Sequence, residues 1–321
     1  MKRDTLERHQ VWVYLVGILV GLALGVSFPA VGPVFEAWLW PVLGLLLYAT
    51  FVQVPLLHIR DAFGDRRFLV ASGLGNFVLV PLLVWTLLPW LPADPAVRLG
   101  VLLVLLVPCT DWFITFAQRG RGDTARAVAV TPLNLLAQLL LLPVYLWWML
   151  PAEELGTVLR ATDLLPAALA LIGVPLLLAA LSERWIEAQP QRACWRERLA
   201  WWPVPLLALV LLSIAGAQVH TVRAAGPVLL AVVPWFALYL VLAALIAWSL
   251  TRAFRLGQAA GRTLAFSLGT RNSFVVLPFA LALPAGWEVT VVVIVAQSLV
   301  ELFGMVFYLW WLPRHLFRDP R

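Results

Sequence analysis

Charge is what this chain has least of. Only 12% of its 321 residues are Asp, Glu, Lys or Arg, about half the ~25% share of a soluble globular domain. That supply cannot cover a water-facing surface. With 62% hydrophobic residues and a mean hydropathy of +0.91, the chain reads as an all-α polytopic membrane protein. Cysteine is nearly absent as well: Cys109 and Cys194 are too few for a disulfide framework or a thiolate metal cage. The four histidines, His9, His58, His220 and His315, fall at helix ends or tails and mark no metal site. No glycine-rich phosphate loop occurs, so nothing points to ATP-driven work, and no cofactor is expected. The net charge of +6 raises nucleic acid as a partner, but the placement of the basic residues argues against it.

Apolar runs are abundant. Ten of roughly 20 residues, the length that spans hydrocarbon, are legible: 10–29, 35–57, 68–91, 97–118, 124–150, 162–182, 200–219, 225–250, 261–283 and 287–312. Many of the 17 tryptophans sit near their ends, as at Trp38, Trp90, Trp147 and Trp202, where an interfacial belt places them. Lys2, Arg3 and Arg8 precede the first run, which is longer than a signal-peptide core and is read as the first span. With the N-terminus in the cytoplasm, 19 of the 23 Lys and Arg residues fall on the inner side. Arg98, Arg160 and Arg223 fall outside, and Arg271 lies within a span. Such a bias is the positive-inside signature. It predicts ten spans in the inner (plasma) membrane with both termini cytoplasmic, and it makes the basic residues topology signals.

Five spans per half permit an inverted repeat, with one half over about 10–150 and the other over about 162–312. Tyr-Leu-Trp-Trp ends the fifth run at 145–148 and the tenth at 308–311. At the same offset Gln138 aligns with Glu301 and Asn134 with Gln297. At an offset two residues shorter, Pro108-Cys109-Thr110-Asp111-Trp112-Phe113 faces Gly269-Thr270-Arg271-Asn272-Ser273-Phe274. Both stretches are polar interruptions of an apolar span. Pro108 lacks a backbone donor and breaks a helix. The spacing predicts discontinuous fourth and ninth helices, and paired discontinuous helices mark a transporter site near the midplane.

Asp111, Arg271 and Glu301 are the charged residues placed well inside spans. Intramembrane charge is costly and marks function by default. Asp111 or Glu301 can carry a proton; the alternative is a static Asp111–Arg271 or Glu301–Arg271 pair that only holds the broken helices together. Arg271 never loses its proton, so it either binds an anion or acts as a fixed cation. Thr110, Thr270, Asn272 and Ser273 either contact substrate or satisfy freed backbone groups. Asn134 and Gln138, one turn apart, line one face, as substrate contacts or as interhelical hydrogen bonds. Cys109 is either a structural residue or a reactive thiol beside the break.

At these residues the sequence resembles the bile acid/arsenite/riboflavin transporter superfamily. More narrowly, it resembles the arsenical-resistance arsenite permeases and the bile acid:sodium symporters. Leu106–Asp111 with Gly120-Arg121-Gly122-Asp123 is similar to the permease region that carries a membrane cysteine, here Cys109. Leu133-Asn134 resembles a permease Leu-Asn pair, and Ser298-Leu299-Val300-Glu301 places a carboxylate where the permeases have one. Arg271-Asn272-Ser273 resembles the Asn-Ser of the symporters' crossing helix. Two departures stand out. Where the symporters carry a sodium-binding Glu and Gln, this chain has Ser267 and Arg271, and where the permeases have a glutamate it has Val275. Losing the carboxylate at Ser267 and gaining a guanidinium at Arg271 should abolish a sodium site by repulsion.

The resemblance implies a secondary transporter of a small molecule. Its first form is proton-coupled efflux of arsenite or a related metalloid oxyacid. Cys109 would meet the metalloid, Asp111 or Glu301 the proton, and Arg271 would replace the coupling cation. The alternative is an organic-anion carrier whose substrate pairs with Arg271. A membrane-embedded enzyme is a third class, disfavoured because neither paired acidic motifs nor His-rich loops occur. Protons and membrane lipid are the other expected partners.

Overall fold

The computed structural model describes residue 6, residues 9–151, residue 156 and residues 165–318. The expectations for Lys2, Arg3, Arg8, Arg160, Arg321 and the first residues of the sixth run lie outside them. Every regular element among the described residues is helical. In chain order the longer helices are α1 (Gln10–Ser27), α2 (Gly32–Phe51), α3 (Arg66–Trp90), α4 (Pro95–Leu105), α5 (Trp112–Arg119) and α6 (Thr124–Met149). They continue as α7 (Leu165–Glu187), the short α8 (Ala193–Leu199), α9 (Pro203–Ala217), the short α10 (Val219–Ala224) and α11 (Gly226–Ala253). The last three are α12 (Gln258–Gly269), α13 (Ser273–Leu281) and α14 (Glu288–Trp311).

Among the described residues, seven helices are long and apolar enough to cross a membrane. They are α1, α2, α3, α6, the stretch Pro190–Ala217 containing α9, α11, and α14 with its extension to Leu316. Their outer faces carry large apolar residues such as Trp12, Leu19, Leu140, Leu230 and Phe303, as lipid rather than water demands. Boundaries follow local chemistry. Asp65, Asp94 and Asp123 cap the amides opening α3, α4 and α6. The second run, expected to reach residue 57, leaves the α-helix at Phe51. Pro55 lies just beyond, and the chain continues as a 3-10 segment, Leu56–Gly64.

Two groups of helices result. In the smaller one, α9 packs on α1 and α2, and α7 packs on α2. The α1–α9 contact depends on Gly17, Gly21 and Gly25, one per turn. A methyl group on Gly21 would collide with the Leu212 carbonyl oxygen and one on Gly25 with that of Gly216. A small-residue stripe of this kind lets backbones approach closely where lipid supplies no hydrophobic drive. The larger group holds α3 to α6 and α11 to α14. Within it, α14 lies against α4, α11 and α13, and α11 lies against α12. Thr290 of α14 donates to the Ala96 carbonyl of α4 at 2.9 Å. The second group contains both pairs of short helices, α4/α5 and α12/α13, and their junctions meet at its centre.

Candidate functional site

Both polar interruptions form breaks. The first helix stops at Leu105, runs non-helically through Leu106–Asp111, and restarts at Trp112. The second stops at Gly269 and restarts at Ser273. Each break frees backbone groups that cannot be left bare in a dry interior. Here they satisfy one another: the two extended stretches cross as a short antiparallel bridge between Pro108 and Arg271. The Cys109 amide donates to the Thr270 carbonyl at 3.2 Å, and the Asn272 amide donates to the Val107 carbonyl at 2.8 Å. Pro108, which has no donor, sits between these two bonds. Asn272 Nδ2 adds a side-chain link to Thr110 Oγ1 at 3.0 Å, and its Oδ1 caps α13 through the Val275 amide.

Arg271 is fully buried, and its two ends do different work. Its backbone amide donates to Glu301 Oε2 at 2.8 Å. Its guanidinium points the other way, toward the carbonyl ends of the half-helices. Nη2 donates to Leu268 O at 2.5 Å, Asn76 Oδ1 at 3.0 Å and Ser267 O at 3.1 Å, and Nη1 reaches Leu105 O at 3.4 Å. Leu105 is the last residue of α4, and Ser267 and Leu268 lie in the last turn of α12. The cation therefore sits at the negative ends of two helix dipoles. Tyr239 supplies a ring face 5.6 Å from the guanidinium carbon and donates its hydroxyl to Leu268 O at 2.7 Å. The static Glu301–Arg271 side-chain pair, one of the alternatives, is not what forms: Glu301 takes the Arg271 backbone amide instead. The guanidinium is taken up by carbonyls freed at the ends of two half-helices and by Asn76.

Glu301, on α14, is buried. Its Oε2 also accepts from Gln297 Nε2 at 2.8 Å. Its Oε1 has no hydrogen-bond donor, and neither does the indole N–H of Trp112 an acceptor, although that indole faces the carboxylate. Ser273 Oγ donates to Gln297 Oε1 at 3.3 Å and lies 2.7 Å from Ser298 Oγ. A continuous polar chain thus runs from Glu301 through Gln297 to the first residue of α13.

Of the ten residues singled out from the sequence, the crossing brings together Cys109, Thr110, Thr270, Arg271, Asn272, Ser273 and Glu301, all buried. Thr270 turns its hydroxyl back to Phe266 O, a structural use. Asp111 is the member that is partly exposed. With Trp112, Thr115, Phe274 and Gln53 it borders a cavity of about 40 Å³ between the two helix groups. Asn134 and Gln138 are buried on α6, yet Asn134 Nδ2 and both amide atoms of Gln138 find no hydrogen-bond partner. A wider cleft of about 700 Å³ opens at the ends of α3 and α6, lined by His58, Asp65, Asp123 and Arg126. The Gly120-Arg121-Gly122-Asp123 stretch makes the turn from α5 to α6. Arg121 takes a positive φ of 58°, and a Cβ on Gly122 would press on Thr263 Oγ1 at 2.7 Å. Asn76, Tyr239 and Trp112 were not singled out. The signal for Asn76 was present: it is an amide inside the third apolar run, subject to the same rule for intramembrane polar groups.

A family model described as the sodium bile acid symporter family matches residues 40–225. One relative is an uncharacterized transporter of Synechocystis, 24% identical, with the match covering 63% of this chain. The chain spans about 60% of that relative's length. The family match contains α4, α5 and α6 and stops before Arg271, so half of the crossing lies within it and half beyond.

Proposed function

The chain belongs to the sodium bile acid symporter family and is an integral membrane transporter, and from that premise we propose that it is a ten-span secondary transporter using a fixed internal cation. The seven long apolar helices, α7, and the broken pairs α4/α5 and α12/α13 account for ten crossings. The basic residues orient them with both termini cytoplasmic in the inner membrane. The two halves, about 10–150 and 162–312, form one transporter domain as inverted repeats, each contributing one broken helix.

The reading we favour is proton-coupled efflux of arsenite or a related metalloid oxyacid. The single observation that carries it is the position of the Arg271 guanidinium, held by carbonyls of two half-helices and Asn76. Carbonyls at half-helix ends are where transporters of this architecture coordinate coupling cations. A permanent cation there removes the need for sodium and leaves few donors for an anionic substrate. Glu301 stands on the other side of the same residue with one oxygen unpaired, suited to taking up a proton. Asp111, at the cavity between the helix groups, is the second candidate. Cys109, in the first break, is the group with affinity for a trivalent metalloid. One sulfur holds such a ligand weakly, as a carrier that must release it requires. The remaining substrate-contact candidates are Thr110, Asn134, Gln138, Thr270, Asn272 and Ser273.

The second reading, an organic-anion carrier without a sodium site, fits the family equally well. One observation favours it: Arg271 Nε is buried with no acceptor. Inside-out vesicles separate the two. The first reading expects arsenite uptake driven by a pH gradient and lost in Cys109→Ser. No arsenite flux from folded protein overturns it, and anion uptake retained in Cys109→Ser but lost in Arg271→Ala establishes the second.

A further inference from the structure

Away from the crossing, three side chains with metal-ligating atoms meet where the 3-10 segment Leu56–Gly64 lies against the end of α7. His58 comes from the segment. Glu183 and Glu187 come from α7 one turn apart, so both carboxylates leave the same face. His58 Nδ1 lies 3.6 Å from Glu183 Oε1 and 3.6 Å from Glu187 Oε1, and the three ligand atoms fall within 4.8 Å of one another. Ligands at tetrahedral angles around a cation 2.0–2.1 Å away stand about 3.4 Å apart. A few tenths of an ångström of side-chain movement closes the geometry.

Glu183 makes this more than a surface cluster. It is only 1% exposed. Its Oε2 accepts from the Leu57 amide at 3.1 Å, which aims Oε1 at His58, and Oε1 is buried with no hydrogen-bond partner. A buried carboxylate oxygen left without a donor is costly. Its compensation is distant: Arg196 Nη2, reaching over from α8, stops 3.7 Å from it and 3.4 Å from Glu187 Oε1. Arg196 Nε is itself buried without an acceptor. The guanidinium therefore neutralises the pair of carboxylates while making one long hydrogen bond, to Glu187 Oε1, and none to Glu183 Oε1.

We propose that His58, Glu183 and Glu187 bind one divalent transition-metal cation of the zinc class, with water completing the coordination and Arg196 as the counter-ion it displaces. An imidazole among the donors favours zinc, cobalt or nickel over the all-oxygen preference of magnesium and calcium. The occupied site ties the connector after α2 to the end of α7. The inference is independent of the transport reading, and it departs from the sequence expectation that the histidines mark no metal site. His58 and the two glutamates are about 125 residues apart, and only the fold joins them.

The test uses full-length, tag-free protein in detergent, stripped with EDTA and dialysed. Zn²⁺ binding is followed by calorimetry and Co²⁺ binding by visible absorption. His58→Ala and Glu187→Gln change side chains that are 48% and 34% exposed, so the fold survives them. The wild type should bind one equivalent, weakened at least about tenfold in each variant. Arg196→Met, which removes the competing cation, should bind more tightly by about tenfold. Absence of saturable binding in the wild type, or one-equivalent binding unchanged in His58→Ala, overturns the proposal.

Discussion

Arg271→Ala removes a guanidinium whose nitrogens serve Leu105 O, Ser267 O, Leu268 O and Asn76 Oδ1. Leu268 O keeps the Tyr239 hydroxyl; the other three acceptors lose their charged donor. A buried acceptor left unpaired costs about 1–3 kcal/mol, so three cost roughly 3–9 kcal/mol. Against this, removing an intramembrane arginine relieves about 2.5–3.5 kcal/mol on insertion scales, and water entering the emptied space repairs part of the loss. The net destabilisation should be about 2–4 kcal/mol. At about 2–4 °C per kcal/mol for a chain of a few hundred residues, the unfolding midpoint should fall by about 5–15 °C. The assay is thermal unfolding in detergent, followed by reaction of a thiol-specific dye. In a Cys194→Ser background the buried Cys109 becomes reactive only as the structure opens. Sodium supplies the second arm. The variant presents backbone carbonyls with no cation among them, and sodium at ten times its Kd should return about 1.4 kcal/mol. The wild type should not respond, and Arg271→Lys should fall between. If Arg271→Ala unfolds within about a degree of the wild type, the guanidinium is not what holds the two half-helices.

Three further outcomes follow from the geometry. Gly21→Leu drives a side chain into the Leu212 carbonyl and should destabilise the α1–α9 contact by about 2–3 kcal/mol, seen as a lowered unfolding midpoint; an unchanged midpoint means the helices are not in close contact. Glu301→Gln keeps an oxygen for the Arg271 amide but cannot carry a proton, so substrate binding should survive while flux driven by a pH gradient is lost; retained gradient-driven flux removes Glu301 as the proton carrier. The Phe68 amide, and Arg126 at 2.7 Å, hold the Asp65 carboxyl below its ordinary value of 3.8. The stability it contributes is therefore present above that value and is lost as pH falls through the lowered one. Asp65→Asn should abolish this acid-side component of the unfolding profile, and an identical profile in both proteins refutes the assignment.

The breaks were legible because proline and polar residues interrupt apolar runs in only a few ways that a membrane interior tolerates. Pro108 and the Thr270–Ser273 stretch announced themselves for that reason, and most helix limits fall within a few residues of the hydropathy pattern. What the residues could not give was direction. The residues marked Arg271 as an anion site, a fixed cation or one half of a static pair with Asp111 or Glu301, but not which way its guanidinium points. Its backbone and side chain point to opposite sides of the crossing. Asn76 escaped notice as a single amide in an apolar run, although it takes up the guanidinium. Glu183 was the reverse case. It looks like an ordinary polar residue at a helix end, and the packing of the 56–64 segment over it is what buries it.

The bridge between Pro108 and Arg271 also bears on how the protein is made. Its two backbone hydrogen bonds join residues about 160 positions apart, so neither can form until α12 and α13 have been synthesised and inserted. Until then the first break has no acceptor for the Cys109 amide and no donor for the Val107 carbonyl. The first half of the chain must wait in the membrane with an unpaired seam, a state that invites premature pairing with water, with lipid headgroups or with another nascent copy. Closing the crossing is thus a late event in assembly, and a fragment ending before Gln258 should be recognised by the cell's quality control as unfinished.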